Sequence, residues 1–128
     1  MEIVRRNYPD LGVPIGALCH ATLVGNLLFI SGMTARETDA EHGDIATQTE
    51  AILKKLRLVL EAEGASPKDV AKVTVFVTEL GDFQDIHQVR RRFFGDTFPA
   101  STLVEVTSLV LPHLKIEIEA IAVVPGKE

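Results

Sequence analysis

The sequence holds a single cysteine, Cys19, among its 128 residues. No disulfide can form within the chain, and no metal site can be built from several thiolates. Tryptophan is absent, tyrosine occurs once, and the six phenylalanines are clustered, so platforms for stacking nucleic-acid bases are not expected. No apolar run approaches the roughly 18 residues of a membrane span. The opening segment, MEIVRRNYPDLG, lacks the apolar stretch of a secretory leader. Positive charge is short as well: the formal net charge is −5, and the only basic cluster is Arg90-Arg91-Arg92. Such a balance gives no general attraction to phosphate backbones. His20, His42, His87 and His113 form no pair at i, i+4 and have no acidic ligand pattern beside them, so neither a metal nor a cofactor is expected. These absences predict a cytoplasmic protein with no nucleic-acid or membrane partner.

What is present is an ordinary globular composition, 46% hydrophobic and 24% charged, with no repeat or linker to divide it. One domain over residues 1–128 is expected. Glu2 to Arg6 reads as a short strand, ended by Pro9-Asp10-Leu11-Gly12. Leu18 to Val24 and Leu27 to Ser31 read as a hairpin turning at Gly25-Asn26. Ala35 to Gly43 is polar and loop-like. Asp44 is placed to cap a helix whose inward stripe is Ile45, Ile52, Leu53, Leu56, Val59 and Leu60, with Gly64 at its end. Val70 to Thr78 reads as a strand with Val73, Val75 and Val77 on one face. Gly81-Asp82 opens a second helix, with Phe83, Ile86, Val89, Phe93 and Phe94 turned inward and Gly95 closing it.

The last quarter, Phe98 to Val123, holds two alternating runs broken at Leu111-Pro112-His113. In the second run Glu117 and Glu119 share a face. Two amphipathic helices need one apolar sheet face to cover, which gives a two-layer α+β domain. Phe76 and Ile121 point to the other face, where nothing in the sequence supplies a third layer. A closed homo-oligomer would bury them.

Taken together, several segments in this order resemble the YjgF/RidA family of imine and enamine deaminases: Gly25-Asn26-Leu27-Leu28-Phe29-Ile30-Ser31-Gly32, Leu60 to Ser66, Val73 to Thr78, Phe98-Pro99-Ala100, and Ile116 to Ala122. The resemblance implies a chorismate-mutase-like fold, a mixed sheet covered by two helices, assembled as a homotrimeric barrel. It also implies small-molecule metabolites bound at clefts between subunits. The departures are specific. Ser101 stands where the family's deaminases carry an Arg that grips the substrate carboxylate. Leu18 replaces a Tyr, Met33 a Gln, His87 an Asn, Arg90 a Tyr and Leu103 a frequent Cys. Ser31-Gly32 and Glu119 are retained.

The resemblance implies that Glu119 positions or activates the attacking water, with Ser31, Gly32, Ser101, His87, Leu18, Met33 and Arg90 around the substrate. Glu117 is read as a structural or interfacial charge that could also partner Glu119. Arg90 is left open as a replacement cation, whereas Arg91 and Arg92 suit a solvated helix end. Losing the Arg removes a charged hydrogen bond of roughly 1.5–3 kcal/mol, which points away from ordinary 2-imino acids. Two functions fit: hydrolysis of a small imine, enamine or related metabolite, or a non-catalytic trimeric module that binds small molecules or proteins. A ribonuclease role draws no support from the net charge or the histidine spacing.

Overall fold

Small and branched apolar residues at every second position turn one side of the sheet into the core. Val73, Val75 and Val77 meet Ile116, Ile118 and Ala120 there, all buried. The computed structural model describes residues 1–126. Its strands are β1 (Ile3–Arg6), β2 (Ala21–Val24), β3 (Leu27–Met33), β4 (Val70–Val77), β5 (Ala100–Glu105) and β6 (Ile116–Val123). Its α-helices are α1 (Ile45–Ala62) and α2 (Phe83–Phe94). The sheet order is β1-β2-β3-β6-β4-β5. Among the described residues only β4 and β5 run parallel, and α2 makes the crossover between them. The result is the expected α+β fold, a mixed sheet with two helices on one face.

Helix α1 begins and ends where local chemistry requires. The Asp44 carboxylate accepts from the Thr47 backbone N–H at 2.8 Å and the Thr47 hydroxyl at 2.7 Å. At the other end Gly64 takes φ +75°. Gly64 N–H then donates to Glu61 O and Ala65 N–H to Leu60 O, the paired bonds of a Schellman cap.

Two expectations change. Strand β2 starts at Ala21 rather than Leu18: its ladder with β3 ends where Ala21 opposes Ile30, and next to that point β3 is bulged against β6. Ile30 and Met33 oppose Ala120 and Ile118, three steps against two, so Ser31 and Gly32 crowd opposite one residue. Phe83 is also not inward: it is 40% exposed and lies edge-on to His87. It opens the helix on the solvent side, and Ile86, Val89 and Phe94 supply the buried face.

Gln48, on α1, is fully buried and polar. Its amide NH₂ donates to the carbonyls of Glu41, Gly43 and His113, and its amide oxygen accepts from Lys115 N–H at 2.9 Å. One side chain thus fastens two loops to α1.

The sheet face away from the helices is bare. Ile3, Leu27, Phe29, Val104 and Val123 are exposed there, Phe29 to 40%. Strand β5 forms a sheet edge and is exposed along most of its length.

Replacing Gln48 with Leu keeps the volume but strips those backbone groups of their partners. We expect a loss of about 2–3 kcal/mol in denaturant unfolding, against little change for Lys54→Leu on the exposed side of the same helix.

Candidate functional site

The bulge in β3 decides which groups meet. At Gly32 the backbone lies so close to β6 that a Cβ would fall on the Glu117 carboxylate. Glycine is what lets that carboxylate lie against the strand. Ser31 holds the approach in place: its hydroxyl donates to Cys19 O at 2.8 Å, and its backbone N–H donates to His20 O at 2.9 Å.

Glu117 and Gly32 line a cleft of about 290 Å³ together with Leu18, His20, Met33 and Lys55. Three kinds of group converge there. The Glu117 carboxyl is pushed above its ordinary value, first by burial and then by the nearby Glu119 charge. His20 Nδ1 accepts from Tyr8 N–H at 2.9 Å, which leaves the proton of the neutral ring on Nε2. Burial and then Lys55 lower its pKa, so the neutral form is favoured. Lys55 spends two N–H groups on Thr34 O at 2.7 Å and Arg36 O at 3.0 Å, and burial lowers its pKa too.

A second cleft, of about 250 Å³, is lined by His87, Arg90, Arg91, Phe94, Phe98, Pro99 and Ser101. Here Arg90 Nη2 donates to Ser101 Oγ at 2.8 Å. The two clefts share no lining residue. Ser101 sits in register with Val73 and Ala120 on the helix-covered face, whereas Glu117 pairs with Phe76 on the bare one.

The predicted residues therefore fall into two groups. Gly32, Leu18 and Met33 gather around one cleft, with Ser31 bracing it. Ser101, His87 and Arg90 gather around the other. Glu119 lines neither and is exposed opposite Thr74. Glu117, read from sequence as a structural charge, occupies the cleft instead. Lys55 was not singled out in the sequence, since it lies beside the apolar stripe of α1 and looks like any flanking cation.

A wider groove of about 730 Å³ runs between Pro9–Gly12, the loop around Glu37 and α1. It contains none of the predicted site residues. Sequence spacing predicts no metal ligands, yet the fold collects Glu41, His42 and His113, whose ligating atoms lie within 4.8 Å of one another. The Glu41 carboxylate is engaged by Glu37 N–H and by His113 Nε2 at 2.7 Å, a tie between two loops.

A carboxyl whose folded pKa is raised keeps its proton where the unfolded chain has already lost it. Stability contributed by Glu117 is thus complete below the ordinary 4.5 and declines as pH climbs from there to the folded value. Unfolding measured across that window should show this decline in the native chain. Glu119→Gln should shrink it, and Glu117→Gln should remove it.

Comparison with known proteins supports the same identity from a separate direction. The family model described as Endoribonuclease L-PSP matches residues 11–124. A RutC family protein of Pyrococcus horikoshii is 41% identical over 112 residues, 85% of this chain and 88% of that protein. A 2-iminobutanoate/2-iminopropanoate deaminase of Dermatophagoides farinae is 35% identical over 114 residues, 87% of this chain and 88% of that one. A Mycobacterium tuberculosis structure, described as a member of the YjgF/YER057c/UK114 family, superposes with a TM-score of 0.79 at 28% identity, covering 96% of this chain and all of the other. With its strand order, paired helices and matches over most of its length, this chain belongs to the YjgF/RidA family.

Proposed function

We propose that the protein is a hydrolytic deaminase of small imines or enamines, and that Glu117 rather than Glu119 is its acid/base. The observation that carries this is the half-buried Glu117 carboxyl lying against Gly32, with its affinity for protons raised. A carboxylate with raised proton affinity is a better base toward water and can return the proton it takes. Attack of water on the imine carbon forms a carbinolamine, with Glu117 accepting the water's proton. The protonated Glu117 passes that proton to the nitrogen, and its carboxylate then takes the carbinolamine's hydroxyl proton and delivers it to the nitrogen as the C–N bond breaks, so that ammonia leaves and the carbonyl forms. The neutral His20 ring supplies a donor on the same cleft, and the Ser31-Gly32 backbone borders the reacting group.

The working unit in this reading is a homotrimer. The bare sheet face and the exposed edge strand β5 need covering. In such an assembly the Glu117 cleft of one subunit would meet the Ser101 cleft at the β5 edge of the next, and each seam would become a complete site. A cytoplasmic setting, where the single thiol stays reduced, belongs to the same proposal.

Ammonia release from 2-iminobutanoate generated in situ tests the chemistry. Glu117→Gln should lower kcat by about 10²–10⁴-fold, with Glu119→Gln close to native. Gly32→Ala should displace the carboxylate and lower kcat while leaving the melting temperature nearly unchanged, since only the end of a flexible side chain must move. No acceleration over buffer, with retained ligand binding, would favour a non-catalytic binding module instead. Light scattering should give three times the 14.0 kDa chain mass.

A further inference from the structure

Arg90 is the one charged residue buried among the described residues, 9% exposed. A buried guanidinium ordinarily faces a carboxylate. Among the described residues Arg90 has no ion-pair partner, and its side chain makes one hydrogen bond, to Ser101 Oγ at 2.8 Å. A guanidinium has five N–H donors. No buried side-chain N or O atom of the described residues lacks a partner, so the remaining donors of Arg90 reach solvent-accessible space, and Arg90 lines the second cleft.

The surroundings suit an anion. Ser101 Oγ accepts from Arg90, which leaves its own O–H free to donate alongside the guanidinium. Phe94, Phe98 and Pro99 furnish apolar walls, where opposite charges attract more strongly than in water. Burial and the charges of Arg90 and Arg91 lower the His87 pKa, so the ring there is a neutral hydrogen-bonding group and the positive charge is left to the arginines. At about 250 Å³ the cleft is smaller than the usual ligand pocket of about 300–1,000 Å³, a size for a small head group.

We propose that Arg90 and Ser101 form an anion-binding site that holds the carboxylate of a small 2-imino acid, with the cation delivered from helix α2 instead of strand β5. This deepens the hydrolase reading and rests on it for the word "imino". It reverses the expectation drawn from Ser101 alone. The position on β5 has lost its charge, but a hydroxyl short enough to share with Arg90 lets the helix supply one.

Calorimetry with 2-oxobutanoate, the carboxylate-bearing keto product, and with butanone, which lacks the carboxylate, tests the site on the intact assembly. The native protein should bind 2-oxobutanoate and discriminate against butanone. Arg90→Gln should weaken 2-oxobutanoate by about 10- to 100-fold, and should raise KM for the imino acid more than it lowers kcat. Arg92→Gln, at a residue that lies outside the cleft and bonds Glu50, should bind as the native chain does. Ser101→Ala, on an exposed strand, should give a smaller loss without threatening the fold. Equal binding of 2-oxobutanoate and butanone, or unchanged binding by both Arg90→Gln and Ser101→Ala, would overturn the proposal. So would loss of the assembly in Arg90→Gln with native binding in Ser101→Ala, which would make Arg90 an interfacial ion-pair partner. Arg90-dependent binding without any imine hydrolysis would keep the anion site and refute the hydrolase. Hydrolysis indifferent to Arg90→Gln would do the reverse.

Discussion

Strand β6 runs down the middle of the sheet, hydrogen-bonded to β3 on one side and β4 on the other. Being held on both sides fixes its register, and its period of two then assigns every side chain to a face. Ile116, Ile118, Ala120 and Ala122 go under the helices and are buried. Glu117, Glu119, Ile121 and Val123 go to the uncovered side. A slip of one residue would put two carboxylates into the core and the apolar set into water. The core, the bare face and the position of the acid all follow from that single register.

The same strand explains why two carboxylates two residues apart differ. Both leave the sheet in the same direction. The bulge at Ser31-Gly32 brings backbone without a side chain beside Glu117, and the cleft closes around it. Glu119 faces Thr74 and remains open. Burial is thus given to one acid by an irregularity in the neighbouring strand, and the second acid adds its charge to raise the proton affinity of the first.

Much of the fold was legible because it depends on local rules. Asp44 and Gly64 mark the ends of α1 through the orphan groups of a helix, and the valines of β4 through alternation. Phe83 misled because an aromatic at the first position of a helix can satisfy the apolar pattern and still lie outside the core. The site was less legible. Of the residues that family resemblance singled out, Leu18, Gly32 and Met33 border one cleft and Ser101, His87 and Arg90 the other, but that Glu117 and not Glu119 is the enclosed carboxylate turns on a bulge, whose only trace in the sequence is one glycine. The bond between Arg90 and Ser101 joins residues 11 apart through tertiary packing, and spacing carries no sign of it. Nor does spacing foretell Glu41 beside His113, 72 residues away.

Gln48 has a mechanical consequence. Its amide links the loop carrying Glu41 and Gly43 to the loop carrying His113. Those loops also bring Glu37 and Val110 to the rim of the Glu117 cleft. Stitched to one helix by one buried amide, the two rims form a common wall that cannot yield on one side only. A molecule too broad for that cleft must therefore displace both loops together, and with them the amide that ties them to the helix.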